Sequence, residues 1–154
     1  MKFILLVLIL AIIAAVYLYI ENHFILAKRH KDFGGDVKIL HISDCHKRNN
    51  STYNKRILSA AQQEKPDLIF ITGDLISRTE VDFSPSERLL QALCEIAPVY
   101  MCMGNHEQSF IHGNQQEFFD MVGRTKAEML INSGKYVKIR GRVFYICGVM
   151  PEYS

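Results

Sequence analysis

The sequence predicts an α/β domain, mainly parallel strands covered by helices, behind an N-terminal transmembrane helix. Three observations lead there. Phe3 to Ile20 contains no charged residue. Beyond Val37, short apolar runs of strand length alternate with segments of helical periodicity. Each of the first three runs stops at a polar cluster: Asp44-Cys45-His46, Gly73-Asp74 and Gly104-Asn105-His106-Glu107. Helices alternating with nearly continuous apolar strands mark a parallel sheet covered on both faces.

The N-terminal run sets the domain boundaries: an anchor helix over 1–21, a tether over 22–36 and the folded domain over 37–154. A helix from Phe3 to Ile20 rises about 27 Å, close to the thickness of a bilayer's hydrocarbon core. It is longer than a signal-peptide core, and no small-x-small cleavage site follows before Lys28, so an uncleaved single-pass anchor is expected. Tyr17 and Tyr19 fit an interfacial aromatic anchor. Only Lys2 precedes the run, whereas Lys28, Arg29 and Lys31 follow it. Positive charge alone keeps the domain in the cytoplasm, and a start-transfer anchor puts it on the opposite side, so the side stays open. His23 and His30 fall in the tether, which closes with Gly34-Gly35-Asp36.

Val37–Ser43 is a β-branched strand ending in a loop, with His41 read as a satisfied core histidine. Ile57, Leu58, Ala60 and Ala61 give a helical face between Thr52 and Lys65, and Pro66 ends it. Asp67–Thr72 is the second strand. Ser84-Pro85-Ser86-Glu87 reads as a helix start with Ser84 as cap; Leu89, Leu90, Leu93 and Ile96 form the inner face, and Pro98 closes it. Val99–Met103 is the third strand. Gln115–Asn132 reads as a helix, and Tyr136–Ile139 with Val143–Val149 as a β pair turning at Arg140-Gly141-Arg142.

At 154 residues, 49% hydrophobic and 22% charged, the chain has room for one domain, and disorder is a poor fit. A net charge of +2 without a basic stripe interleaved with aromatics gives no reason to expect nucleic acid. Cys45, Cys94, Cys102 and Cys147 form no CxxC pair and read as buried free thiols.

In parallel sheets ligands gather at the carboxyl ends of strands, which brings Asp44, His46, Asp74, Asn105 and His106 together. Two carboxylates, two imidazoles and an amide oxygen suit divalent manganese, iron or zinc. Alternation along the extended segment turns Cys45 away from Asp44 and His46, into the core.

Through Asp44-Cys45-His46, Gly73-Asp74-Leu75-Ile76 and Gly104-Asn105-His106-Glu107, over roughly residues 37–110, the sequence resembles the calcineurin-like metallophosphoesterases, in particular membrane-anchored bacterial members. The resemblance implies the N-terminal half of a metallophosphoesterase α/β sandwich, and a hydrolase of phosphomonoesters or phosphodiesters with two divalent metal ions. It implies that Asp44 and His46 bind the first ion, Asp74 bridges both and Asn105 binds the second. His106 then meets the substrate phosphate or the leaving group. It also favours an outward-facing catalytic domain. A bridging carboxylate holds two cations about 3.5–4 Å apart, which clamps the attacking and leaving oxygens of an in-line displacement.

Family members supply further metal-binding histidines from a later strand end and a Gly-His-x-His loop, neither of which occurs before Ser154. His112 reads as a loop residue. The expectation is therefore an incomplete site, with Tyr145–Val149 as an exposed strand edge. The alternative is a catalytically inactive, membrane-tethered binding or interaction module of the same fold. No Gly-x-Ser-x-Gly elbow supports a serine hydrolase. A short tether favours membrane-borne phosphoesters, from lipid or cell-envelope intermediates, as substrates.

Overall fold

The computed structural model describes residues 2–23, 35–46 and 51–150, and divides into two compact units, 1–33 and 34–154. In the first, α1 spans Lys2–His23, and its side chains from Phe3 to Tyr19 are exposed. Among the described residues no helix is long and apolar enough to cross a membrane, so the spanning anchor read from the sequence is not shown. Most of the tether, with His30 and the side chain of His23, lies outside the described residues.

The second unit is built on four parallel strands in chain order: β1 (Ile39–Ile42), β2 (Leu68–Ile71), β3 (Val99–Met101) and β4 (Glu128–Met129). The crossovers are α2 (Ser51–Glu64), α3 (Ser84–Cys94) and α4 (Asn105–Gly123). Right-handed crossovers between successive neighbours put all three helices on one face. Alternation along the strands follows from that. Ile42, Ile69, Ile71, Val99 and Met101 are buried, as are Ile57 and Ala61 of α2, Leu89, Leu90 and Leu93 of α3, and Phe118 and Met121 of α4.

The opposite row, His41, Phe70 and Tyr100 in register, is exposed or half-buried. The sequence reading of helices on both faces is corrected here: chain-order topology leaves the second face without a helix among the described elements. Beside that face lies a hairpin, β5 (Ser133–Ile139) and β6 (Arg142–Gly148). Phe70, Tyr100, Cys102, Leu130, Ile146 and Cys147 line an apolar cavity between them. Its turn, Arg140-Gly141, takes φ of 48° and 82°, the doubly left-handed geometry that matches the twist of paired strands. Tyr145 and Val149 are exposed, as read for this edge.

Three further readings change. His41 is exposed, not a core histidine, and pairs with Thr72 Oγ1 at 2.6 Å through Nε2. The cap of α3 is shifted: Phe83 occupies the N-cap position, and Asp82 Oδ1 accepts the Ser84 N–H at 2.9 Å. The helix read over Gln115–Asn132 begins ten residues earlier, at Asn105, and ends at Gly123, where the Arg124 N–H returns to Asp120 O and Val122 O. The freed segment supplies β4, pairing Glu128 with Tyr100 and Met129 with Met101.

Asp67, at the entrance to β2, ties three elements together. Its Oδ2 accepts the Lys38 N–H and its Oδ1 the Arg140 Nε–H, each at 2.8 Å. The Lys38 N–H first, and Arg140 next, hold this carboxyl below its usual range. A depressed carboxyl pKa adds stability that is present above the ordinary aspartate range and is lost as pH falls through the folded-state value. Asp67→Asn in the full chain is therefore expected to lower the melting temperature at pH 7, with the gap to the unaltered chain closing below about pH 4. Circular-dichroism melts across that range check this; a gap independent of pH contradicts it.

Candidate metal centre

The three polar clusters follow β1, β2 and β3 directly, and the parallel sheet brings them to one edge. Backbone bonds lace the first loop to the second: Asp44 N–H to Gly73 O at 3.4 Å and His46 N–H to Asp74 O at 2.9 Å. Within the first loop Asp44 is exposed, Cys45 buried and His46 half-buried, so Cys45 turns into the core as its position predicts. Asp44 and Asp74 have φ of 57° and 55°. Such left-handed backbone in a non-glycine residue costs on the order of 1–2 kcal/mol and persists only where neighbouring structure holds it.

What holds it is contact between the second and third loops. Gly73 has φ of 97°, and a Cβ there would meet Gly104 N at 2.3 Å. A Cβ on Gly104 would fall 2.2 Å from Asp74 Oδ1. Asp74 Oδ1 accepts the His106 N–H at 2.9 Å. Glu107, fully buried, reaches back across the gap: Oε2 accepts Asp74 N–H at 2.7 Å and Gly104 N–H at 2.8 Å, and Oε1 accepts Ile76 N–H at 3.0 Å. Glu107 also stands at the third position of α4, where a carboxylate satisfies the first amides of a helix.

His46, Asp74 and His106 each offer one ligand atom, and these atoms lie within 4.8 Å of one another. The two imidazoles stack, centroids 4.3 Å apart and planes 12° from parallel. Asn105 abuts the same carboxylate. Its side-chain oxygen faces both Asp74 oxygens, at 3.1 and 2.8 Å, while its nitrogen faces Arg78 Nη2 at 2.7 Å; turning the amide over makes all three contacts hydrogen bonds. Asp44 sits at the exposed rim, outside the group of three.

This donor set fits a divalent cation. Among the described residues, the buried Nδ1 of His106 has no hydrogen-bond partner. A carboxylate, an amide oxygen and two imidazoles are the mixed oxygen–nitrogen set that borderline divalent ions take.

Arg78 and the part played by Glu107 were not read from the sequence. Arg78 follows the Gly73-Asp74 cluster by four residues, and nothing in its spacing distinguishes it from a surface arginine; only the turn after β2 brings it back to Asn105. Glu107 carried a signal, a glutamate three residues after Gly104, which is the spacing of a capping residue. The side chain of His112 lies outside the described residues.

An oxygen–nitrogen cluster on three consecutive loops at the carboxyl edge of a parallel sheet marks an α/β protein with a candidate metal centre. The chain belongs to the calcineurin-like phosphoesterase family, which matches residues 37–149 and comprises metal-dependent hydrolases of phosphoesters. It is similar to a Caenorhabditis elegans protein designated a metallophosphoesterase, 30% identical over 82% of this chain and 26% of that one. It is also similar to the phosphodiesterase YaeI of Escherichia coli, 25% identical over 77% of this chain and 45% of the relative. A third relative is the UDP-2,3-diacylglucosamine pyrophosphatase LpxG of Chlamydia muridarum, 36% identical over 46% of this chain and 22% of LpxG. The chain thus spans less than half the length of each of these relatives.

Because the added methyl meets Asp74 and not open space, Gly104→Ala is expected to displace the carboxylate and to cost about 1–3 kcal/mol, as overpacking does. Gly123→Ala, which meets nothing within 4 Å, is the control. Chemical denaturation of both variants decides it; equal stability contradicts the close approach.

Proposed function

We propose that the chain carries a two-metal centre for hydrolysis of phosphomonoesters or phosphodiesters. The observation that carries this reading is the convergence of His46, Asp74 and His106 within 4.8 Å, with Asn105 against the same carboxylate. In it, Asp44 and His46 would hold one ion, Asn105 would hold the second and Asp74 would be shared between them. The hydrogen bond from Asp44 N–H to Gly73 O supports including Asp44, since it keeps that residue beside the bridging loop. Manganese, iron and zinc all accept such donors.

Bound divalent ions supply Lewis acidity toward a phosphoryl oxygen and acidify the attacking water. The chain's own groups do the rest. With Nδ1 buried, His106 passes its proton to the leaving oxygen from Nε2, work worth about 10²–10⁴-fold in rate. Arg78, a permanent cation beside Asn105, binds the phosphoryl oxygens as their charge grows. Stacking against His46 fixes the plane of the His106 ring.

The same reading places the domain at a membrane, with an amphiphilic, lipid- or envelope-derived phosphoester as substrate. Its supports are the uncharged run from Phe3 to Ile20, the exposed apolar side chains of α1, and similarity to an enzyme named for a diacylated nucleotide sugar. Tethering to the surface that bears the substrate raises its effective concentration.

The family's later metal-binding histidines do not occur within residues 1–154, so the purified chain in detergent is expected to bind Mn²⁺ weakly and to hydrolyse bis-p-nitrophenyl phosphate poorly. Asp74→Asn should reduce that turnover by at least about 10²-fold, and Arg78→Ala should lower kcat and kcat/KM together. An unchanged Asp74→Asn rate contradicts the reading, and a folded chain with neither Mn²⁺ uptake nor turnover selects the inactive binding module. For the membrane, the chain is expected in the pellet after alkaline carbonate extraction; release into the supernatant contradicts attachment through α1.

A further inference from the structure

We propose that Glu107 is a positioning residue that sets the metal affinity of the centre without being a ligand itself; this rests on the metal-centre reading above. Its two oxygens are committed to backbone amides on both sides of the site, Asp74 and Ile76 after β2 and Gly104 before α4. It is absent from the group of converging ligand atoms. The residues it grips are neighbours of every donor in the second and third loops. Asp74 is bonded through its own N–H, while Asn105 and His106 follow Gly104 directly.

The clamp has a direct consequence. Asp74 is kept in left-handed backbone, where its carboxylate faces Asn105 and receives the His106 N–H. Fully buried, Glu107 keeps its carboxyl on three backbone N–H groups beside the candidate cation site. Outer-shell partners of this kind typically change metal affinity about 10–100-fold.

Glutamine tests the clamp at constant volume. Glu107→Gln replaces one acceptor oxygen by an NH₂ group, which must face either Ile76 N–H or the Asp74 and Gly104 pair, donor against donor. Asn54→Ala is the structural control, since Asn54 is also buried and donates to Pro85 O at 3.1 Å, between α2 and α3. Mn²⁺ affinity of the full chain in detergent is measured by calorimetry and by the electron paramagnetic resonance of free Mn²⁺, well below each variant's melting temperature. Glu107→Gln is expected to weaken binding about 10–100-fold while Asn54→Ala leaves it unchanged.

Wild-type affinity in Glu107→Gln, or an equal loss in Asn54→Ala, overturns the proposal alone. Absence of Mn²⁺ uptake by the unaltered chain overturns the metal-centre reading and this proposal with it. If Glu107→Gln does not fold, amide exchange in the unaltered, metal-free chain decides instead. Protected amides at Asp74, Ile76 and Gly104 support the clamp, and exchange at the rate of open amides overturns it.

Discussion

A carboxylate withdrawn from water has to find hydrogen-bond donors, and Glu107 finds three in the backbone on either side of one cleft. That constraint organises the carboxyl edge of the sheet. The second loop cannot drift from the third while Asp74 and Gly104 share an oxygen of Glu107. The first cannot drift from the second while His46 N–H is bonded to Asp74 O. Asp74 stands at the middle of this lacing, with its amide, carbonyl and carboxylate all engaged. Its left-handed backbone is a cost that the surrounding bonds offset, and it falls where chemistry is expected.

The glycines complete the same arrangement. Gly73 and Gly104 meet backbone to backbone, closer than any side chain permits. This lets a carboxylate from one loop and an amide side chain from the next reach the same space. Separation by one further carbon at either position would part Asp74 from Asn105.

Much of this was legible in the sequence because long-range convergence follows from a simple rule. Apolar runs of strand length such as Leu68–Ile71 and Val99–Met101, bounded by turn residues, read as strands, and residues just beyond their ends share one edge of a parallel sheet. His46, Asp74, Asn105 and His106 were found on that basis. The misreadings have equally local causes. Asn105-His106-Glu107 looks like a polar loop, yet it is the first turn of α4, held by Glu107 at its third position. Glu128–Met129 is too short to announce itself as a strand and was absorbed into a helical pattern that stops at Gly123. The helix-free face carrying His41, Phe70 and Tyr100 depends on strand order, which periodicity does not encode. The approach of Arg78 to Asn105 depends on the path of a turn.

Central to the proposed function are divalent cations held by Asp74 together with Asp44 and His46 on one side and Asn105 on the other, with His106 beside them as proton donor. Anomalous diffraction at the manganese edge from crystals soaked in Mn²⁺ examines that claim most directly. A peak within about 2.0–2.3 Å of Asp74 oxygen and a histidine nitrogen is the predicted result. Manganese bound only elsewhere on the chain, with His46, Asp74 and His106 left in mutual contact, would contradict it.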